Sequence, residues 1–475
     1  MGARVDTEVL VIGSGPGGYV CAIKLAQLGK RVVLVEREAV GGTCLNVGCI
    51  PSKALISASK LVQQVRHAAT MGIHVDGVRV ELRQMMSWKD SVVGKLTGGV
   101  GTLVKGNGGQ ILQGAAAFVD AHTARVTRAG DETLVGFEQV VIATGSVPTA
   151  IPGFAFDGVN VIGSTEALAF ADVPKKMVVI GGGYIGMELG GVWQRLGTEV
   201  TVVEYMDQLL PGFEPDLVRP VAKRFKDAGG IVKTGTKAIR WDPNQSGSSR
   251  LLVTVEARAD QRQETIETDV ILLTVGRTPT VEGLALTNAG IPWDPKQFLQ
   301  VDGAQRVKGG PGHVFAIGDV AGQPMLAHKA SKEGEVCAEV IAGHHAAFDA
   351  RAIPAVVFTD PEIATVGLTL KEAQAAGHDA KAGKFPFAAN GRALSLNDAD
   401  GFVRVVVDQQ TGVLLGMEAV GPEVSNLVAE IGLALEMGAQ AADVGLTIHA
   451  HPTLTEAVME ATNAALGQAI HALNR

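Results

Sequence analysis

Residues 8–36, EVLVIGSGPGGYVCAIKLAQLGKRVVLVE, open on a short unbroken apolar run and turn through a cluster of glycines. They continue with apolar residues at helical spacing and close on a second apolar run. Runs of that length bounded by glycine predict strands covered on both faces, and the stretch between them predicts a helix. Residues 177–204, MVVIGGGYIGMELGGVWQRLGTEVTVVE, repeat the pattern. The glycines stand at Gly13, Gly15 and Gly18 in the first copy and at Gly181, Gly183 and Gly186 in the second. Each copy ends on an acid, Glu36 or Glu204, 18 residues after its third glycine. Strand, G-x-G-x-x-G turn, helix and acid together make a dinucleotide-binding unit, and two copies predict two doubly wound domains.

The spacing has a physical reason. The first glycine permits the tight turn, the second lets the backbone approach a pyrophosphate, and the third lets helix and strand pack closely. The helix N-terminus then aims unpaired N–H groups at the phosphates. Glu36 and Glu204 can accept hydrogen bonds from ribose hydroxyls, and a carboxylate there repels a 2′-phosphate. No arginine follows Glu204 closely (Tyr205, Met206, Asp207, Gln208), so the second site should prefer NAD to NADP. The plain alternatives, a glycine-rich turn without ligand and a solvated glutamate, weaken when the whole pattern recurs.

Between the copies, helical patterns cover about Ser52–Ala69 and Leu82–Lys105, and strands lead up to Val140–Ile142. Gly106–Gly109 follows a helix and reads as its stop. Strands are expected around Leu251–Val255 and Val270–Thr274, then a return segment with FAIGDV at 315–320 and a helix over Ala327–Ala342. From about Pro354 the pattern changes to strands (PAVVF, GFVRVVV, GVLLGMEAVG) alternating with amphipathic helices at Ser425–Met437 and Thr455–Ala472. That shift predicts a third domain with an antiparallel sheet.

Length and composition agree: 475 residues suit about three domains, and 46% hydrophobic with 19% charged residues supplies a core. Net charge is -8 with no block of Lys or Arg, which argues against nucleic acid and against a basic membrane patch. No apolar run nears the roughly 18 residues of a membrane span. The start, MGARVDTEVLVIGSG, is already strand and turn, and Asp6 stands where a myristoylation pattern wants Ser or Thr. The expected location is cytoplasmic.

Four cysteines occur, Cys21, Cys44, Cys49 and Cys337. Cys21 and Cys337 sit inside helical patterns and read as small buried hydrophobes. Cys44 and Cys49 lie together in GGTCLNVGCIPSKAL. Five residues of regular helix would part them by about 7.5 Å along the axis, beyond the usual disulfide limit of about 6.8 Å. A bond between them needs a distorted turn, which Gly48 permits before a helix beginning near Pro51. A zinc site would want further Cys or His nearby, and none stands there, so no metal is expected. Lys53 follows Cys49 by four residues, one helical turn, where a cation favours thiolate.

HAHPTLTE at 449–456 offers the base for thiol chemistry. Imidazole titrates near neutrality, and a carboxylate can fix its tautomer, roles that fit His451 and Glu456. Pro452 permits a cis bond after His451. The same residues can also start a helix, with Thr453 as cap and Glu456 completing a capping box.

Taken jointly, GGTCLNVGCIPSK, GGGYIGMELG, FAIGDV, PMLAHKA and HAHPTLTE resemble the pyridine nucleotide-disulfide oxidoreductase family over nearly the whole chain. CLNVGCIPSK, Glu204 and a chain ending soon after HAHPTLTE are most similar to its dihydrolipoamide-oxidising branch. The resemblance implies an α/β fold with two Rossmann-like dinucleotide-binding domains plus a C-terminal α+β dimerisation domain. It divides the chain into an FAD part at 1–148, an NAD domain at 149–276, a segment completing the FAD site at 277–347 and an interface domain at 348–475.

It further implies that Cys44 exchanges with lipoamide, Cys49 contacts the flavin, and Lys53 pairs with Glu188 beside the ring. Gly13, Gly15, Gly18, Glu36, Gly42, Thr43, Lys53 and Gly114 would line the FAD site, with Thr144, Gly145, Ser146, Asp319, Met325, Leu326, Ala327 and His328. Gly181, Gly183, Ile185, Gly186, Glu204 and Gly276 would hold NAD. His451, oriented by Glu456, would act on the dithiol of the other subunit of a homodimer. Partners would be lipoyl domains and the acyltransferase core of 2-oxo acid dehydrogenase complexes, or the glycine cleavage carrier protein; no lipoyl domain precedes the FAD part. Cys21 and Phe358 depart from the usual family residues without touching this chemistry. A glutathione reductase should carry Arg where Glu204 stands, and a mercuric reductase a further Cys pair near the C-terminus. A non-catalytic flavoprotein that senses NADH would be expected to lose Cys44, Cys49 or His451.

Overall fold

A computed structural model describes residues 3–245, 247 and 249–474, so the Met-Gly start lies outside the described residues. Contacts divide the chain into two units. The first holds the stretches up to Leu55, Glu81–Thr149 and Gly276–Asp349; the second holds Ile56–Val80, Ala150–Val275 and the chain from Ala350 onward.

In the first unit the apolar runs form a parallel sheet in the order Gln110–Gln113, Val32–Glu36, Ala3–Ile12, Asp131–Ile142, with Val314–Ala316 beside the last. Alternate residues of a strand face opposite sides, so the run at 9–12 feeds two cores. Val9 and Val11 pack with Cys21, Ala22, Leu25, Cys337 and Ala338 from the helices Pro16–Gln27 and Ala327–Ile341. Leu10 and Ile12 pack with Phe118, Phe137, Leu286 and Ile291 on the other face. The two helices cross at backbone contact: a Cβ on Gly334 would lie 2.5 Å from the Gly17 carbonyl oxygen.

The second unit contains the second parallel sheet, ordered Ile231–Lys233, Glu199–Val203, Lys176–Ile180, Val270–Leu273, Val161–Ile162. It also contains an antiparallel five-stranded sheet ordered Ala355–Val357, Glu362–Gly367, Leu414–Gly421, Phe402–Asp408, Ala380–Pro386. The helices Val424–Met437 and Glu456–Ala465 cover that sheet through Leu427, Ile431, Ala457, Val458 and Ala461. Arg224 on the Pro215–Asp227 helix reaches Asp360, Asp398 and Asp400 at 2.6, 2.9 and 2.8 Å.

Three expectations change. Residues 56–80 leave the first unit, because Ser59 accepts from Arg195 Nε at 3.0 Å and Arg66 donates to the Arg195 carbonyl at 2.7 Å. The helix expected from about Ser52 begins at Cys49. The last helix stops at Ala465 instead of Ala472, since Gly467 turns at φ +73°. The tail then folds back, with the backbone N–H groups of Ile470 and His471 donating to buried Glu460.

Candidate active site

Each glycine loop is built as its sequence demands. Gly13 and Gly181 turn at φ +100° and +102°, where a side chain would strike the carbonyl oxygens of Ala143 and Thr274 at 2.3 and 2.6 Å. A Cβ on Gly18 or Gly186 would fall 1.9 or 2.2 Å from the carbonyl oxygen of its own loop's first glycine. Gly15 and Gly183 have no protein atom within 4 Å of such a Cβ, and as helix N-caps they supply no side-chain cap. The open face at the start of each helix fits a pyrophosphate. Ile185 lies in the first turn of the second helix, Tyr184–Leu196.

Both acids are buried and held by their loops. Glu36 accepts from Ser14 N at 2.9 Å, Ser14 Oγ at 2.5 Å and Glu38 N at 2.7 Å. Glu204 accepts from Gly182 N at 2.6 Å and Met206 N at 2.7 Å. Two carboxylate oxygens offer about four acceptor positions, so each acid keeps some for a ribose. Beside Glu204 stands an arginine the local sequence does not announce. Arg258 lies 4.5 Å over the Tyr205 ring and donates to the Tyr205 carbonyl at 2.9 Å and to Asp207 at 3.3 Å. Its charge is thus partly answered by Asp207. Glu204→Arg is expected to raise catalytic efficiency with NADPH relative to NADH by at least about tenfold, measured by steady-state kinetics with both nucleotides. Equal ratios in the two proteins would remove the carboxylate from the argument. Overall activity should also fall, because Gly182 loses its acceptor.

The remaining residues expected at the FAD site all belong to the first unit. Gly114 N donates to the Glu36 carbonyl at 2.8 Å. Ser146 Oγ donates to Asp319 at 2.5 Å and accepts from Arg277 Nε at 2.7 Å. Thr144 Oγ1 donates to the Thr280 carbonyl at 2.6 Å, and the Gly145 carbonyl accepts from Thr280 N at 2.9 Å. Gly276, assigned to the NAD side, opens the third stretch of this unit, where its carbonyl accepts from Thr149 N at 3.0 Å. Met325, Leu326, Ala327 and His328 lead into the Ala327–Ile341 helix, with Leu326 as N-cap. One turn on, Lys329 and Glu333 form a buried ion pair at 2.7 Å, and Glu333 accepts from Gly318 N at 2.7 Å. That pair fixes the turn carrying Asp319; burial raises the Glu333 carboxyl against the lowering by Lys329.

Gly42 packs on the first loop so closely that a Cβ there would lie 2.6 Å from Gly15 Cα. Thr43 and Cys44 follow in the short helix Gly42–Val47; Gly48 breaks it at φ -143°, ψ -114°, and Cys49 opens the helix Cys49–His67. Both cysteines are half-buried thiols. The hydrogen bond to Cys49 and burial push the Cys44 thiol well above the usual thiol range, and Lys53 opposes this only in part. Lys53 belongs to the first unit and Glu188 to the second, where Glu188 is buried and accepts from Phe358 N at 2.9 Å.

In the second unit His451 Nδ1 lies 2.9 Å from Glu456 Oε1, with its side chain 79% exposed. The carboxylate accepts the Nδ1 proton, which leaves the lone pair on Nε2 facing outward. Burial would raise the Glu456 carboxyl, but the Thr453 N–H and the His451 ring hold it below the usual range. The capping reading needs correction. The helix begins at Glu456 with Thr455 as N-cap, and Thr453 Oγ1 turns to the Ala450 carbonyl at 2.7 Å. Glu456 Oε2 still accepts from Thr453 N at 2.8 Å. The His451–Pro452 bond is cis.

The profile described as pyridine nucleotide-disulphide oxidoreductase matches residues 7–334, and that of the dimerisation domain of the same name matches 353–462. The chain belongs to the pyridine nucleotide-disulphide oxidoreductase family. It is 50% identical over 472 residues, 99% of this chain and 98% of the relative, to a dihydrolipoyl dehydrogenase of Halobacterium salinarum. Identity to the dihydrolipoyl dehydrogenase of Geobacillus stearothermophilus is 48% over 99% of this chain and 98% of the relative. Among solved structures, LpdA from Mycobacterium tuberculosis superposes with a TM-score of 0.88 at 26% identity, covering 97% of this chain and 99% of that one. The Cu(II) complex of the HOCl-induced flavoprotein disulfide reductase RclA from Escherichia coli gives 0.84 at 25%, covering 97% and 99%.

As a member of the pyridine nucleotide-disulphide oxidoreductase family, the chain is a flavoprotein oxidoreductase that uses FAD and NAD(H), and it forms a homodimer. The two open glycine loops fit two dinucleotides. Among the described residues, no helix is long and apolar enough to cross a membrane. Among the same residues, no group of three or more His, Cys, Asp or Glu is arranged to hold a metal ion. Arg258, Arg277, Lys329 and Glu333 escaped the sequence reading. Only the Lys-x-x-x-Glu spacing of the last two left a signal, and it resembles any surface helix pair.

Proposed function

We propose that the chain oxidises protein-bound dihydrolipoamide with NAD⁺ as acceptor. What carries the reading is the Cys44 and Cys49 dithiol together with the NAD-type acid Glu204, in a chain about half identical end to end to dihydrolipoyl dehydrogenases. His451 Nε2 takes a proton from one substrate thiol, and the thiolate attacks Cys44 of the Cys44–Cys49 disulfide, releasing Cys49 as thiolate. The second substrate sulfur breaks the mixed disulfide, freeing lipoamide and leaving the electron pair on the enzyme dithiol. Bound FAD would supply the two-electron relay by which that pair reaches NAD⁺. Lys53, one helical turn after Cys49, would favour the thiolate, and Asp319, which accepts from Ser146 Oγ, would hold the ribityl chain.

The site is shared between the two subunits. The exposed His451 ring stands near Leu446 and Ile448 in sequence, which are 82% and 95% exposed, as expected of a surface that another subunit covers. Lipoyl groups would arrive on the carrier domains of a 2-oxo acid dehydrogenase complex, with its acyltransferase core, or on the glycine cleavage carrier protein, in the cytoplasm. The test compares NAD⁺ reduction by dihydrolipoamide with reduction of glutathione disulfide by NADPH. The first is expected to exceed the second by more than about a hundredfold in kcat/KM; the reverse order would mean a glutathione-type enzyme.

A further inference from the structure

Two residues before His451 stands a histidine to which the reaction above gives no task. His449 has only 4% of its side chain exposed, and both ring nitrogens meet acceptors: Nδ1 lies 2.9 Å from the Thr447 carbonyl and Nε2 lies 2.8 Å from Glu430 Oε1. A carbonyl cannot donate, so Nδ1 carries a hydrogen; the contact to Glu430 then needs one more proton, whichever partner owns it. Ring and carboxylate together therefore hold two protons, the one on Nδ1 and the one they share, and carry no net charge.

We infer that His449 and Glu430 form a proton-sharing pair that positions the His451 loop and keeps an uncompensated charge away from the base. Glu430 sits on the Val424–Met437 helix, anchored in the core by its neighbours Val428 and Ile431. The pair thus ties one end of the loop to the core. Asn390 Nδ2, donating to the Thr453 carbonyl at 3.0 Å, and Glu456 Oε2, accepting from Thr453 N, tie the other. His451 is slung between these two tethers. Among the described residues, Glu456 meets His451 directly, and His471, which pairs with Glu460, is close enough to Glu456 to help lower its carboxyl.

The inference rests on His451 being the base, and charge accounting separates the two ideas. Removing the ring leaves a partly buried carboxylate alone near His451, which favours the protonated base. Removing the carboxylate leaves a neutral ring. In His449→Gln, and in His449→Asn, which keeps a donor for the Thr447 carbonyl, the acid limb of the kcat/KM profile for dihydrolipoamide should move up by roughly half a pH unit. In Glu430→Gln and in the double variant it should stay where it is in the parent enzyme. An unmoved limb in both His449 variants, or equal shifts in the His449 and Glu430 variants, overturns the inference. His451→Gln, assayed alongside, tests the underlying reading: if it retains full activity, the base has been misassigned whatever His449 does.

Discussion

Replacing Cys44 by serine is expected to lower dihydrolipoamide oxidation by about three orders of magnitude or more, while reduction of an artificial dye by NADH persists. A hydroxyl cannot enter disulfide exchange, so the step that transfers electrons from substrate to dithiol disappears. The dye reaction bypasses that step, because it needs only the two dinucleotide sites and the loops that build them. Cys44 is the informative position because it is the sulfur the substrate thiolate would attack, with Cys49 as the leaving thiolate. Stopped-flow and steady-state assays of the purified holoenzyme check the split. Retention of substantial lipoamide activity would mean that Cys44 is not the exchanging thiol.

The other large effect appears when inactive chains are combined. Cys44→Ser and His451→Ala subunits, denatured and refolded together, are expected to recover activity that neither has alone. If the dithiol of one chain works with the histidine of its partner, a mixed dimer holds one doubly damaged site and one intact site. Random pairing makes half the dimers mixed, so roughly a quarter of wild-type sites return. If histidine and dithiol of one chain worked together, every site would carry a lesion and nothing would return. A wild-type control must refold under the same conditions, and native mass spectrometry must find the mixed dimer. Its presence without activity would refute the shared site.

Much of this architecture is legible because its determinants are local. The apolar runs at 9–12 and 177–180, the glycines and the terminal acids lie within about thirty residues of one another, and their spacing follows directly from turn geometry. The bend between Cys44 and Cys49 was readable for the same reason: regular helix cannot accommodate a bond at that spacing, and Gly48 relieves it. What escaped depends on distant partners. Arg258 reaches Tyr205 and Asp207 from a turn about fifty residues later in the chain, after three intervening strands, and no periodicity records that approach. Residues 56–80 continue a helix begun in the first unit, yet Arg195 draws them into the second. Nothing local marks His449 for its partner Glu430, which stands on another helix.

The interleaving of the two units has a consequence for how the chain is made. The strand Asp131–Ile142 lies between Ala3–Ile12 and Val314–Ala316, so the first sheet lacks a strand until the dinucleotide-binding part of the second unit has been translated. Val314 follows Ile142 by 172 residues (314 minus 142), on the order of 10 to 30 s at roughly 5–20 residues per second. Throughout that interval Val140, Val141 and Ile142 lack the strand that covers their edge, while Ile56–Val80 waits for partners not yet synthesised. Co-translational folding therefore cannot proceed unit by unit from the N-terminus, and chaperones that bind emerging apolar segments have a long window in which to act.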